Sequence, residues 1–198
     1  MKKYIILLLI LGSCKMNDAP QLPFLGNKVK QNGTTDYPKI ADFSFTDQNG
    51  RTVTNNTFKG RIYVADFIFL SCPTICPKMN AEMLKVYTAF KNNNHVGFLS
   101  HTIDPEHDTV EKLKAYTDNL GIKGNWHFVT GNKDSIFAIA TKSYFTTAYP
   151  TAKEPGGYIH GGGLLLIDKN RYIRGVYDGT NPKESERLIN DINMLLKE

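Results

Sequence analysis

Two of the three cysteines in this 198-residue chain, Cys72 and Cys76, stand four residues apart in Phe69-Leu70-Ser71-Cys72-Pro73-Thr74-Ile75-Cys76-Pro77-Lys78-Met79. An apolar run precedes the pair and a helix-like pattern follows it. The spacing is one residue longer than Cys-x-x-Cys, so the sulfurs can converge on a soft metal ion as readily as on each other. Copper is the first ion such a pair suggests, and in oxidising surroundings the same sulfurs would act as a redox pair and close a disulfide. Cys76 falls at a helix start, where unpaired backbone N–H groups and the positive end of the helix dipole favour a thiolate. Its pKa is therefore expected to be lowered. The flanking prolines point to an exposed loop rather than to inert buried cysteines.

The third cysteine belongs to a different pattern. Met1-Lys2-Lys3 is basic, Tyr4 to Leu11 is apolar, and Leu11-Gly12-Ser13-Cys14 has the form of a bacterial lipoprotein cleavage site. Residues 1–13 are expected to be a lipoprotein signal peptide and Cys14 the lipidated first residue of the mature chain. The alternative is an ordinary secretory signal with a coincidental cysteine. The apolar run is too short for a membrane-spanning helix, which takes about 20 residues. Residues 14–37, rich in Asn, Gly, Pro, Gln and Lys, read as a tether from a bacterial membrane to a domain at 38–198 on its extracytoplasmic, periplasmic side. With Cys14 set aside, two thiols are too few for a multi-bridge scaffold, and the chain is long enough to bury a core without one. Lys and Arg number 24 against 19 Asp and Glu, and no basic stripe is interleaved with aromatics, which argues against nucleic acid as a partner.

The elements around the pair follow from periodicity. Phe43 and Phe45 alternate with polar residues, Asp47-Gln48-Asn49-Gly50 gives a turn, and Thr52-Val53 resumes extended structure, which predicts an N-terminal β-hairpin. Arg61 to Leu70 is a β-branched and aromatic run of the kind buried on both faces of a sheet. After the cysteines, Met79, Met83, Leu84, Val86, Tyr87 and Phe90 form a helical apolar face, so the methionines read as core rather than as ligands. Further strands are predicted at Val96–Ile103 and Trp126–Thr130, and helices at Thr109–Leu120, Lys133–Ser143 and Pro182–Leu196. A second hairpin is predicted from Gly163–Ile167 and Arg171–Tyr177. Alternating strands and helices give an α/β domain with a central mixed sheet flanked by helices. The order strand, cysteine pair, helix is that of a thioredoxin-like domain.

Several segments together resemble the Sco (SenC) family: Phe69 to Pro77, Ile103-Asp104-Pro105-Glu106-His107-Asp108-Thr109, Trp126 to Gly131, and His160 shortly before Leu164–Asp168. The likeness runs from about Phe43 to the C-terminus. It implies a membrane-tethered, thioredoxin-like copper protein that helps assemble the dinuclear copper site of cytochrome c oxidase. Such a protein delivers copper, Cu(I) or Cu(II), or reduces that site's cysteines. It implies one copper per chain on Cys72, Cys76 and His160, with the oxidase's copper-bearing subunit as partner. Another copper chaperone or a thioredoxin-like reductant is a further partner of the same kind. Read without the resemblance, His160 in its glycine-rich stretch is either a polar loop residue or a ligand swung over the thiols. The chain departs from the family at Thr74 and Lys78, where acidic residues are common, and at Ile159, where an aspartate often precedes the histidine.

His95, His101, His107 and His127 read as structural, while Asp66 and Asp104 could orient ligands or simply serve strand and turn. The competing function is a thiol-disulfide oxidoreductase that uses Cys72 and Cys76 without metal. A peroxidase lacks its threonine three residues before either cysteine, and tetrahedral zinc lacks a fourth ligand.

Overall fold

The computed structural model describes residues 21–31, 33–151 and 157–198. The expected signal peptide and Cys14 lie outside the described residues. In chain order the elements are β1 (Val29–Gln31), β2 (Thr34–Asp36), β3 (Ser44–Asp47), β4 (Thr52–Thr54), a 3-10 turn (Asn55–Phe58), β5 (Ile62–Ile68), α1 (Cys76–Phe90), β6 (Val96–Thr102), α2 (Val110–Asn119), β7 (Trp126–Thr130), α3 (Lys133–Lys142), β8 (Ala148–Pro150), β9 (Tyr158–His160), β10 (Gly163–Ile167), β11 (Ile173–Asp178) and α4 (Pro182–Leu195).

A seven-stranded sheet in the order β11-β10-β5-β6-β7-β3-β4 forms the centre. β5, β6 and β7 are parallel and joined through helices, as parallel neighbours require, while β10, β11, β3 and β4 add antiparallel. The predicted mixed sheet, its flanking helices and the N-terminal hairpin are all present. β5 is buried at every position, because both of its faces are covered. On one face Phe67 stacks on His101 and meets Tyr144 beyond the end of α3. On the other, Phe98 and Trp126 pack on Tyr87 of α1. The methionines of α1, Met79 and Met83, are fully buried core.

Two short hairpins were not legible in the sequence. β8 pairs with β9, Ala148 opposite His160, and β1 pairs with β2. The described part of the segment before residue 38 lies on the domain. Leu25 N–H donates to Ile173 O at 2.9 Å, and the buried Arg174 reaches Leu22 O and Pro23 O at 2.6 and 3.2 Å while stacking under Phe24. Among the described residues no helix is long and apolar enough to cross a membrane.

Two titratable groups sit inside the sheet. His101 is fully buried and flanked by rings of Phe67, Phe45 and Tyr144, and burial brings its pKa down to about 3, so it is neutral. Asp66, on the opposite face of the sheet from Phe67, is fully buried and neither carboxylate oxygen has a well-aligned hydrogen bond. Burial raises it from 3.8 to about 6, against the smaller pull of the Ser100 hydroxyl and of His160.

A carboxyl raised in the folded state stabilises the fold below its ordinary pKa of 3.8 and loses that contribution as pH rises through about 6. Asp66→Asn keeps the shape and removes the ionisation. The variant is expected to be more stable than wild type above that pH by up to about 3 kcal/mol, the gain vanishing in acid, as read by denaturant unfolding across pH. A pH-independent difference would show that ionisation of Asp66 is not what costs stability.

Candidate metal centre

Buried β5 delivers its C-terminal end to a turn at Phe69-Leu70-Ser71, closed by Cys72 N–H donating to Phe69 O at 3.2 Å. The chain then enters α1 at Cys76. α2, α3 and α4 each have a side-chain cap, from Thr109, Asn132 and Asn181, whereas α1 starts from Ile75 without one and has proline in its first turn. Its free amides therefore face the preceding loop. The N–H groups of Cys76 and Thr74 are directed at the Cys72 sulfur.

The third donor comes from the far side of the sequence. β10 lies beside β5, Leu165 opposite Ala65, so the chain entering β10 passes the end of β5. Gly161 N–H donates to Thr147 O at 2.8 Å, which closes the β8–β9 hairpin against this chain. A Cβ at Gly161 would collide with Thr146 Oγ1 unless that hydroxyl turned away, so glycine lets the two strands close with Thr146 as it stands. His160 Nδ1 is 3.3 Å from Gly161 O, which leaves Nε2 as the ring atom presented to the sulfurs. Nε2 stands 3.2 Å from Cys76 Sγ and 4.0 Å from Cys72 Sγ. One donor atom from each of the three residues lies within 4.8 Å of the others, and no other such cluster of His, Cys, Asp or Glu occurs among the described residues. Cys72 and His160 face a cavity of about 260 Å³ lined also by Phe69, Thr74, Ile75, Tyr158 and Ile159, with Cys76 buried behind them. Two thiols and an imidazole are the donor set of a soft ion such as copper, and ions that prefer oxygen are poorly served.

The two sulfurs are unequal. Burial opposes ionisation of Cys72, but the His160 imidazole, the two backbone N–H groups and the Cys76 thiol outweigh it and bring Cys72 from 9.0 to about 6. Burial pushes Cys76 well above the usual thiol range, and a negative Cys72 next to it pushes it further. The expectation that Cys76 is the lowered one is thus corrected. Its place in the first turn is as predicted, but it is buried, and the free amides reach the sulfur in the loop instead. Exposure is corrected too. Ser71, Pro73 and Thr74 are exposed, yet both sulfur-bearing residues are buried.

Tyr158 and Phe69 are site residues that sequence reasoning missed. The Phe69 ring meets His160 edge-on at 5.6 Å and Tyr158 at 5.5 Å. Tyr158 O–H donates to Asp104 Oδ1 at 3.0 Å, and the same carboxylate accepts from His107 Nδ1 at 2.9 Å. Asp104 therefore does more than start its turn, since it ties the strand carrying His160 to the β6–α2 loop. The alternation Tyr158-Ile159-His160 was the available signal. Its partner strand is hidden because the proline- and glycine-rich stretch between them reads as loop. The other histidines are placed as expected: His95 is exposed, His101 is packed, His107 is in the turn, and His127 bonds Asp47 at 3.0 Å.

In the reduced, metal-free chain with Cys14→Ser, alkylation of Cys72 by iodoacetamide is expected to reach half its plateau rate near pH 6, the thiolate being present above that value, while Cys76 stays unmodified. Reaction first at Cys76 would reverse the assignment. Tyr158→Phe removes the tie to Asp104, and Cu(I) affinity by chelator competition is expected to fall about tenfold with Cys72 alkylation unchanged. Unaltered affinity would show that His160 is placed without it.

A model of the SCO1/SenC family matches residues 31–197. The chain is 32% identical over 160 residues to the SCO1 protein homolog of Bacillus subtilis, covering 78% of this chain and 81% of that protein. Its structure is similar to that of a SCO1/SenC family lipoprotein from Bacillus anthracis, with a TM-score of 0.74, 31% identity, and coverage of 80% and 95% of the two chains. BsSco, described as a member of the Sco family of cytochrome c oxidase assembly proteins with a disulfide switch, aligns with a TM-score of 0.72 and 27% identity over 89% of this chain and 98% of its own. Fold, paired thiols, distant imidazole and these matches agree, and the chain belongs to the SCO1/SenC family.

Proposed function

We propose that the protein is a copper-binding assembly factor for cytochrome c oxidase, holding one copper on Cys72, Cys76 and His160 and serving the oxidase's copper-bearing subunit. The observation that carries this reading is the convergence of two sulfurs and one imidazole nitrogen within 4.8 Å in a family of oxidase assembly proteins. Copper bound there is cargo. The sulfurs suit Cu(I), and the imidazole adds a nitrogen that Cu(II) favours. A lipid on Cys14 would hold the domain on the extracytoplasmic side of a bacterial membrane, a reading supported by the cleavage-site pattern at residues 11–14 and by likeness to a structure described as a lipoprotein. The chain's own residues position the donors: Phe69 packs edge-on against the imidazole, and Tyr158 with Asp104 fixes the strand that presents it.

The inequality of the thiols favours a second reading, reduction of the target's cysteines. The Cys72 thiolate would attack one sulfur of the target disulfide, forming a Cys72–target bond and releasing the other target sulfur as a thiolate. Cys76 would then give up its proton and attack the Cys72 sulfur, forming the Cys72–Cys76 disulfide and releasing the second target thiolate. Two electrons pass from this pair to the target. Both activities use the same sulfurs, so a chain acts in one or the other at a time, and a reductant must restore the dithiol after each reduction.

Copper content and absorption of the reduced Cys14→Ser chain, compared with the same chain carrying His160→Ala, test the choice. One copper per chain with a thiolate-to-Cu(II) band that the mutation abolishes or shifts is expected for the three-donor site. Absence of stable copper, or binding indifferent to His160, would leave the dithiol reductase as the function.

A further inference from the structure

The two ends of the sheet differ in charge. The metal centre lies where β5 and β6 end, and the opposite end is formed by the loops that enter β5, β6 and β7, by the β10–β11 turn and by the C-terminus of α4. A groove lined by Gly60, His95, Lys169 and Leu196 shows that these loops share one end. Lys59, Lys91, Lys123, Lys169 and Lys197 are exposed there, with Arg61 half-buried beside them, and among the described residues none of the six has a carboxylate within salt-bridge distance. The carboxylates at this end are ion-paired, apart from Asp36, which has a hydroxyl partner. Asp42 pairs with Arg171, Asp168 and Glu198 with Arg174, Asp118 with Lys114, and Asp36 accepts from Tyr172 O–H. At the metal end the signs are mixed: Lys133 pairs with Glu106, Lys78, Lys112 and Lys183 lie in the first turns of α1, α2 and α4, and Asp134, Asp178 and Glu184 lie at the start of α3, the end of β11 and the start of α4.

The N-terminal segment arrives at the lysine-rich end. Arg174, at the start of β11, holds Leu22 O and Pro23 O, and Leu25 pairs with Ile173. Six residues lie between Cys14 and Gln21, and the seven steps from one to the other reach about 25 Å at full extension. We infer that this lysine-rich end is a docking face for the anionic headgroups of the bilayer that carries the Cys14 lipid, so that the metal centre faces away from the membrane. The inference rests on the lipid-anchor reading for its geometry and on charge for its chemistry. Basic residues near an anionic surface are attracted by about 1 kcal/mol each, and unpaired lysines beside a short leash are placed to meet it.

The test uses the chain from residue 14 with Cys14→Ser, so that no lipid contributes, and vesicles of phosphatidylglycerol with phosphatidylcholine against phosphatidylcholine alone. Binding is expected to the anionic vesicles only and to be lost in high salt. Lys59→Gln with Lys123→Gln and Lys169→Gln is expected to lower partitioning about a hundredfold, roughly fivefold per lysine. Lys78→Gln with Lys112→Gln and Lys183→Gln, at the metal end, is expected to change it little. Both triples should keep the wild-type circular dichroism, none of the six being buried or ion-paired. Equal losses in the two triples, or no preference for anionic vesicles, would overturn the proposal. Binding to polyaspartate without binding to vesicles would assign the face to an acidic protein and overturn it as well. Mass analysis of residue 14 in the chain made in bacterial cells reports the anchor separately, so a chain without lipid that still binds anionic vesicles loses the anchor and keeps the face.

Discussion

The antiparallel pairing of β10 with β5 governs the chemistry of this domain. Cys76 and His160 are 84 residues apart, and they meet at 3.2 Å because the strand that follows the histidine lies beside the strand that precedes the cysteines. Everything else at the site refines that placement. Glycine at 161 permits the close approach of the β8–β9 hairpin, Phe69 sets a ring edge-on against the imidazole, and Asp104 anchors the hairpin through Tyr158. Shifting the register of β10 by one residue would exchange the faces on which Leu164 to Ile167 pack and carry the histidine away from the sulfurs.

Charge at the site is set by competition between burial and a small number of directed N–H groups. Two thiols this close do not ionise together, so the question is which one holds the negative charge. Burial decides against Cys76, and the His160 imidazole, helped by the free amides at the uncapped start of α1, decides for Cys72. The outcome suits both uses of the pair. A thiolate ready at neutral pH attacks a disulfide or takes a soft cation, and a protonated neighbour keeps the second sulfur in reserve until the first has reacted.

Much of this was legible in the sequence because it depends on local pattern. The continuous apolar run of β5, the helical spacing of Met79, Met83 and Phe90, the Asn-Gly turn of the first hairpin and the proline at the start of α1 each fix their element without reference to the rest of the chain. What escaped depends on distant partners. His160 stands in a glycine-rich stretch whose strand character appears only when Ala148–Pro150 pairs with it, and so its ligand role was carried by family resemblance rather than by spacing. The sign at Cys76 was misread because a helix start announces itself in sequence and burial does not. Residues 22–25 look like linker by composition, yet Arg174, far along the chain, gives their carbonyls a partner.

The separation of the donors also orders events in time. During synthesis the stretch from β5 to β7 can assemble as a parallel unit with both cysteines in place, and at that stage they are two ordinary thiols without an imidazole. β10 must close over a long loop before His160 arrives, and contacts of such high sequence separation form late and slowly. A finished three-donor centre therefore certifies a finished fold, and a half-folded chain offers metal ions only the loose grip of a dithiol.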